Sequence, residues 1–182
     1  HQHPTQALLD LYAMREAFGR LDGLHVAIVG DCLHSRVARS LAQALRLVDA
    51  SVTLVGPPTL VPQALGDALD ADVAFELDAI RHADVVYVLR LQRERMDAAY
   101  LPSLREYSAR WAITPERLAP GQRVMHPGPM NRGVEIDPRV ADSGASLVGT
   151  QVRSGLVVRM AVLYDLLTSP GLRFAAPALE VA

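Results

Sequence analysis

Residues 24–40, LHVAIVGDCLHSRVARS, decide the fold class that the sequence predicts. Five of the first six residues are apolar, which is typical of a strand buried in a parallel sheet. Gly30 ends this strand, and a helix is predicted over 35–48 because apolar side chains return at helical spacing. Those apolar positions are Val37, Leu41, Leu45 and Val48. A buried strand followed directly by an amphipathic helix indicates a β-α-β unit.

The same alternation of strand and helix continues along the chain. Further strands are predicted at 51–55, 72–75, 84–89 and 123–125. Further helices are predicted at 4–18, 60–69, 78–82, 102–109, 115–119 and 151–167. Strands joined by helices favour an α/β fold, a doubly wound, Rossmann-like parallel sheet of five strands with helices on both faces. We expect the common strand order 3-2-1-4-5, one domain over 1–168 and a tail over 169–182.

Composition narrows the class of function. The chain has 182 residues, a formal net charge of −2 and 50% hydrophobic residues. This balance disfavours a nucleic-acid surface, and no apolar run is long enough to predict a membrane span. A single cysteine, Cys32, excludes an internal disulfide and favours a cytoplasmic protein. All 18 basic residues are Arg. Without Lys, this chain forms neither a Schiff base with pyridoxal phosphate nor a Walker-type phosphate loop.

The carboxyl ends of the strands are where a ligand is expected in such a sheet. A dinucleotide fold would show G-x-G-x-x-G after the first strand, but only Gly30 is present, so a nicotinamide oxidoreductase is the weakest alternative. Arg36 follows the first strand and Arg90 follows the fourth. Two guanidinium groups beside the switch point fit a ligand with two carboxylates, although a single Arg is often only a surface residue. Gln92 faces the same way as Arg90 in extended chain.

The fifth strand runs into His126-Pro127-Gly128-Pro129. Two prolines and a glycine favour a stiff turn whose backbone carbonyls can accept hydrogen bonds from a ligand amine. An ordinary rigid loop is the alternative. A cis bond between Gly128 and Pro129 is a further hypothesis, because it fits a tight turn.

His3 stands just before a predicted helix. Pro4 is favoured at the first helical position, which makes His3 the N-cap. The positive end of the helix dipole disfavours imidazolium, so a neutral ring that donates one hydrogen bond is expected. Gln6 lies on the same face, three residues on. A neutral donor beside an amide can polarise a carbonyl group, although a cap without chemistry is the alternative for His3.

Four stretches together resemble the aspartate carbamoyltransferase family. They are HPTQALLD at 3–10, GDCLHSRVARS at 30–40, VLRLQRER at 88–95 and HPGPMNRGVEI at 126–136. Their order and spacing are similar to those of the aspartate-binding second half of that family, and the resemblance covers roughly 1–168. The related ornithine enzymes carry His-Cys-Leu-Pro where this chain has His126-Pro127-Gly128-Pro129, which favours aspartate as the acceptor.

The resemblance implies a role for each residue at the strand ends. His3 would hydrogen-bond the carbonyl oxygen of carbamoyl phosphate, and Gln6 would contact its amide group. Arg36 would hold the α-carboxylate of L-aspartate. Arg90, supported by Gln92, would hold its β-carboxylate.

The remaining implied contacts involve the backbone and the other lobe. Carbonyl groups of Pro127 and Gly128 would orient the attacking amine, and Arg95 would pair with the other lobe when the domains close. The cluster at 93–95 is also compatible with a solvated run of ion pairs. The implied reaction uses no metal or organic cofactor, belongs to pyrimidine biosynthesis and takes place in homotrimers of complete chains.

One departure from the family is important. Its first half carries a Ser-Thr-Arg-Thr phosphate-binding stretch and a catalytic Lys, and neither occurs in this sequence. We therefore expect the carbamoyl-phosphate domain to be absent from this chain, and the chain alone to show no turnover. An apolar stripe along the helix at 151–167 should then remain exposed, unless that helix packs wholly on its own sheet. A carbamoyltransferase for another acceptor such as ornithine, or a non-catalytic amino-acid-binding domain, are the alternatives.

Overall fold

Five parallel strands form one sheet in a computed structural model that describes residues 2–91 and 103–169. Their order is β3-β2-β1-β4-β5, as predicted. The strands are β1 His25–Val29, β2 Ser51–Val55, β3 Asp72–Ala74, β4 Val85–Val88 and β5 Arg123–Met125. Since β1 lies between β2 and β4, the first and fourth strands end side by side at the carboxyl edge of the sheet.

Helices surround the sheet, which confirms the predicted fold class. They are α1 Pro4–Phe18, α2 Arg36–Arg46, α3 Gln63–Leu69, α4 Leu104–Trp111, α5 Pro138–Ala141 and α6 Val148–Thr168. The segments Leu77–His82 and Pro115–Arg117 are 3₁₀ helices rather than α-helices. Turns of 3₁₀ helix are common in short connecting segments such as these. The four-residue helix α5 was not predicted.

The core lies between the sheet and the helices that pack on it. β1 is buried from Val26 to Val29, and α1 packs against both α2 and α6. Large, fully buried side chains come from every layer, among them Met14 of α1, Leu41 and Leu45 of α2, and Ile28 of β1. Burying each such side chain stabilises the fold by about 1.5–3 kcal/mol. This packing holds the starts of α1 and α2 in fixed positions.

Caps define where α1 and α2 begin. The Nδ1 atom of His3 accepts a hydrogen bond from the backbone N–H of Gln6, and Pro4 is the first helical residue, as predicted. The hydroxyl of Ser35 accepts from the backbone N–H of Ala38 at the start of α2. The backbone N–H of His3 donates to Ser40 Oγ at 2.7 Å, which ties the start of α1 to the first turns of α2.

Helix α6 buries only a polar and small-residue face. Its buried residues are Gln151, Ser154 and Gly155, and Gly155 lies against Leu9 of α1. Its large apolar side chains are between 53% and 81% exposed. They are Val152, Leu156, Val157, Met160, Leu163, Tyr164 and Leu167. The helix therefore does not pack wholly on its own sheet, and the expected exposed apolar stripe is present. No helix in the described ranges is both long and apolar enough to cross a bilayer.

Candidate functional site

His3 lies half-buried at the start of α1. Its Nδ1 accepts from the Gln6 N–H at 3.3 Å, so the hydrogen-bond pattern assigns the ring proton of the neutral form to Nε2. Burial lowers the pKa of His3 from its ordinary value, and the positive charges of Arg36 and Arg159 lower it further. The lowered pKa favours the neutral ring, with burial as its largest cause.

Two arginines follow neighbouring strands. Arg36 is the exposed first residue of α2, and its charge acts on the imidazole of His3. Arg90 lies two residues after the end of β4 and is partly buried. Because β4 pairs with β1, Arg90 lies at the same edge of the sheet as the loop that leads to Arg36. Gln92 and Arg95 lie outside the described residues, so their roles stay predictions.

The turn after β5 is held by a buried histidine. His126 Nδ1 accepts from the backbone N–H of Gly128 at 2.9 Å. The Nε2 atom of His126 then carries the proton and donates to Glu135 Oε1 at 3.2 Å. The backbone N–H of Asn131 donates to the same carboxylate oxygen. The peptide bond between Gly128 and Pro129 is cis, in agreement with the hypothesis from the sequence.

A cavity of about 200 Å³ opens beside this turn, and we call it the carboxyl-edge cavity. Its lining residues are Gln6, Leu9, His126, Pro127, Gly128, Val148, Gln151, Val152, Gly155 and Arg159. The structure thus brings together Gln6, Pro127 and Gly128, which the sequence placed on separate elements. Arg159 was missed. Its sequence signal is the row Gln151, Gly155, Arg159, since residues four apart share one face of a helix.

Asp10 lies fully buried under Gln6 and was also missed. Its Oδ1 accepts from Gln6 Nε2 at 3.0 Å and from Gln151 Nε2 at 2.7 Å. Its Oδ2 accepts from the hydroxyl of Tyr87 at 2.7 Å. Burial raises the pKa of Asp10 to about 7, although the hydrogen bonds from Tyr87, Gln151 and Gln6 oppose the shift. This carboxyl group joins α1, β4 and α6 beneath the cavity.

A second set of buried polar side chains, Asp31, Glu135 and Tyr107, lies near the ends of β1 and β5. Asp31 Oδ1 accepts from the His34 backbone N–H at 3.1 Å. Asp31 Oδ2 and Glu135 Oε2 have no hydrogen-bond partner among residues 2–91 and 103–169. Burial and the charges of Glu135 and Asp31 raise the pKa of the Tyr107 hydroxyl well above its usual range. Across those same ranges, no three His, Cys, Asp or Glu side chains are grouped closely enough to hold a metal ion.

Comparison with known proteins identifies the family to which this chain belongs. The family profile described as "Aspartate/ornithine carbamoyltransferase, Asp/Orn binding domain" matches residues 22–166. The chain belongs to the aspartate/ornithine carbamoyltransferase family. The match includes both arginines at the strand ends and the turn that begins at His126.

Relatives in this carbamoyltransferase family are similar over nearly the whole chain. The aspartate carbamoyltransferase catalytic subunit of Sorangium cellulosum is 56% identical over 170 residues, covering 91% of this chain and 53% of its own length. The corresponding subunit of Gluconacetobacter diazotrophicus is 56% identical over 175 residues, covering 94% and 54%. The chain therefore spans about half the length of the curated relatives it matches.

Solved structures of the family share the fold. Aspartate transcarbamoylase from Trypanosoma cruzi in complex with N-(phosphonacetyl)-L-aspartic acid has a TM-score of 0.77 at 31% identity, covering 90% of this chain and 56% of that one. Ornithine carbamoyltransferase from Thermus thermophilus has a TM-score of 0.78 at 28% identity, covering 92% and 56%. Since these values are nearly equal, the fold alone does not separate the two acceptors.

Proposed function

We propose that this chain is the aspartate-binding part of an aspartate carbamoyltransferase. The complete enzyme would transfer a carbamoyl group from carbamoyl phosphate to L-aspartate, giving N-carbamoyl-L-aspartate and phosphate. The observation that carries the proposal is that Gln6 of α1 lines one cavity with Pro127 and Gly128, while His3, whose pKa is lowered by burial and by the charge of Arg36, caps the same helix. Membership of the carbamoyltransferase family supports the same chemistry.

His3 would act on the carbonyl oxygen of carbamoyl phosphate. With Nδ1 engaged by the Gln6 backbone, Nε2–H is the atom free to donate. Attack on the carbamoyl carbon places negative charge on this oxygen, and a donor already oriented toward it stabilises that charge. Burial and the neighbouring positive charges of Arg36 and Arg159 lower the pKa of His3, which favours the neutral ring, and the same two charges would attract an anionic substrate.

Arg36 and Arg90 would hold the two carboxylates of aspartate. Each guanidinium group can bind one carboxylate through two parallel hydrogen bonds, so two such groups at adjacent strand ends select a dicarboxylic amino acid. Gln92 would support Arg90, as the family resemblance implies. Holding both carboxylates fixes the direction in which the amino group approaches, and such positioning can supply much of the rate enhancement.

The turn at Pro127 and Gly128 would orient the nucleophile. Backbone carbonyl oxygens accept hydrogen bonds from an amine and so turn its lone pair toward the carbamoyl carbon. Gln6, from the opposite side of the carboxyl-edge cavity, would contact the carbamoyl amide. The new C–N bond then forms, the C–O bond to phosphate breaks with its electron pair going to the phosphate oxygen, and one proton of the amine ends on the departing phosphate.

The other half of the enzyme would cover the apolar stripe on α6. Residues 1–168 would form the aspartate-binding domain, and the partner would be a carbamoyl-phosphate-binding half that precedes it. An exposed apolar patch of this extent marks an interaction surface. Arg95 would pair with that half on closure. Assembly of complete chains into homotrimers, cytoplasmic localisation and a place in pyrimidine biosynthesis rest on the family resemblance and belong to the same proposal.

A fused enzyme tests the function. The first half of the Sorangium cellulosum relative, which this chain does not match, is joined to its amino end and assayed for N-carbamoyl-L-aspartate. We expect product from the fused enzyme and none from this chain alone. Robust product from this chain alone would refute the need for a second half. Carbamoylation of ornithine in place of aspartate would overturn the acceptor, and aspartate binding without turnover would favour a non-catalytic domain.

Matched arginine variants test the carboxylate contacts. In the fused enzyme, Arg36→Gln and Arg90→Gln should each raise the KM for aspartate by about tenfold or more, since each removes one charge-assisted pair. Arg123→Gln is the control, because Arg123 begins β5 at the opposite edge of the sheet. Equal KM values for all three variants would contradict the assignment.

A further inference from the structure

Asp10 contacts three side chains from three different elements, and all four residues are buried. One carboxylate oxygen, Oδ1, faces two amides, those of Gln6 on α1 and Gln151 on α6. The other, Oδ2, faces the hydroxyl of Tyr87 on β4. The network extends beyond Gln151, because Gln151 Oε1 accepts from the backbone N–H of His126 at 3.0 Å.

The chemistry of a carboxyl group decides how the two amides are oriented. An ionised carboxylate only accepts hydrogen bonds, and a protonated one donates through a single oxygen. The Tyr87 hydroxyl is the neighbour that can both donate and accept, so a proton on Asp10 belongs on Oδ2. Oδ1 remains an acceptor in either state. Both amides must therefore turn their NH₂ groups toward Asp10 and their oxygens away from it.

We propose that Asp10 is a positioning residue that fixes the polarity of both amides, and through them the hydrogen-bonding character of the carboxyl-edge cavity. For Gln151, the fixed polarity leaves Oε1 as the acceptor that the His126 N–H needs. This bond holds the start of the turn that places Pro127 and Gly128. For Gln6, it leaves Oε1 as the amide atom available to the cavity that Gln6 lines.

The consequence is a preference for a ligand with an N–H group opposite Gln6. A planar NH₂ group satisfies this requirement, and a carboxylate or phosphate oxygen at the same position would meet the Gln6 oxygen with its own lone pairs. If the proposed function holds, the carbamoyl NH₂ is that group, and Asp10 orients the substrate without touching it. The polarity itself does not depend on the proposed function.

Hydrogen exchange of side-chain NH₂ groups in the chain as it stands tests the polarity directly. Gln63 provides an internal reference, because it makes the same i,i+4 contact to Asp67 on an exposed helix face. We expect the NH₂ protons of Gln6 and Gln151, and the backbone amide of His126, to exchange at least tenfold more slowly than the NH₂ of Gln63. Exchange of Gln6 and Gln151 as fast as Gln63 in the unaltered chain would overturn the proposal.

Two substitutions at Asp10 separate polarity from packing. Asp10→Asn retains an acceptor for both amides and can donate to the Tyr87 hydroxyl, so the protection and the KM for carbamoyl phosphate in the fused enzyme should stay within about threefold. Asp10→Leu is similar in size but has no acceptor. It should abolish the protection and raise that KM about tenfold, with a smaller change in kcat. An Asp10→Asn variant that behaves like Asp10→Leu contradicts the proposal.

Gln122→Leu is the matched control. It removes a buried amide at the opposite end of β5, so it should lower stability without changing the exchange of Gln6 or the KM. If Asp10→Leu does not fold, Gln151→Met replaces it. That variant cuts only the branch to His126, so the His126 amide should lose protection while the Gln6 NH₂ keeps it. Protection in the unaltered chain together with no product from the fused enzyme would sink the proposed function alone.

Discussion

Buried polar groups at the amino ends of the strands, the amino edge of the sheet, have their hydrogen bonds satisfied, whereas some at the carboxyl edge do not. At the amino edge, Gln122 donates to the carbonyl oxygens of Ile80 and Ala83 and accepts from the backbone N–H of Ala119. At the carboxyl edge, Asp31 Oδ2 and Glu135 Oε2 are buried without a hydrogen-bond partner in the described part of the chain. Leaving a buried acceptor unpaired costs about 1–3 kcal/mol.

This difference supports the proposal that the carboxyl edge binds a ligand, whereas the amino edge contributes to stability. Gln122 satisfies three backbone groups from two connecting segments, β3 to β4 and β4 to β5, so its hydrogen bonds hold the fold together. The carboxyl edge instead keeps two buried carboxylate oxygens without a partner in the described residues, close in the fold to the hydrogen-bonded side chains of His126 and Gln151 that line the cavity. Parallel α/β folds bind ligands at this edge, and a folded chain retains such costly groups where function uses them.

The largest expected effect is on the pH dependence of the free energy of unfolding, which Asp10→Asn should change. Burial raises the pKa of Asp10 to about 7, well above that of an unfolded chain, so ionisation destabilises the fold. The contribution of the protonated carboxyl is fully present below about pH 4 and is lost as pH rises toward 7. The free energy of unfolding of the unaltered chain should therefore fall by about 4 kcal/mol relative to Asp10→Asn across this range.

Urea unfolding of both proteins at several pH values between 4 and 8 measures this difference. Other titrating groups are shared by the two proteins, so they cancel to a first approximation. If the difference in free energy of unfolding between the two proteins stays constant with pH, Asp10 has the same pKa in the folded and unfolded chain. Its burial at the carboxyl edge would then carry no pH-dependent cost.

His3→Ala and His25→Ala compare the effect on kcat of removing one histidine from each edge of the sheet. In the fused enzyme, His3→Ala should lower kcat by about 10²–10³, because it removes a preorganised donor to the developing negative charge. His25 is the matched histidine of the amino edge, where its Nε2 lies 2.8 Å from Thr53 Oγ1. His25→Ala should lower the melting temperature and leave kcat unchanged. Equal losses of kcat in the two variants would contradict a catalytic role that is confined to the carboxyl edge.

Gly128→Ala and Gly121→Ala form the pair with the smallest expected effect. Both glycines have positive φ, +64° and +86°, and a Cβ added at either would meet no heavy atom within 4 Å. Each substitution should destabilise the fold by about 1 kcal/mol, because an L residue disfavours this conformation. Only Gly128→Ala should also raise the KM for aspartate, since Gly128 lines the cavity. Denaturation curves and initial rates for the two variants check both statements.

The fold and one side of the site could be predicted from local patterns. The parallel sheet was predicted from apolar runs joined by helices, with the common strand order for that fold, and His3 was identified as a cap because Pro4 follows it. These features depend on residues close together in sequence, so their physical causes can be read locally. The short helices predicted at 78–82 and 115–119 are 3₁₀ helices, a type that apolar spacing over six residues or fewer does not distinguish from an α-helix.

The network around Asp10 could not be predicted, because its partners are distant in sequence. Tyr87 is 77 residues away and Gln151 is 141 residues away. In the sequence, Asp10 is an ordinary polar residue inside a predicted helix. Only the packing of α1 against α6 and the sheet removes it from water and creates its altered acidity. Arg159 escaped notice for a similar reason, since an Arg on an exposed helix face is common.

The apolar stripe on α6 has a calorimetric consequence. Its seven large side chains, Val152 through Leu167, remain in contact with water when nothing covers them. Hydration of apolar surface carries a large positive heat capacity, so association of another protein surface with this stripe must be accompanied by a negative change in heat capacity. Titration calorimetry at several temperatures should therefore give a binding enthalpy that becomes steadily more negative on warming, whereas an enthalpy independent of temperature would place the contact elsewhere.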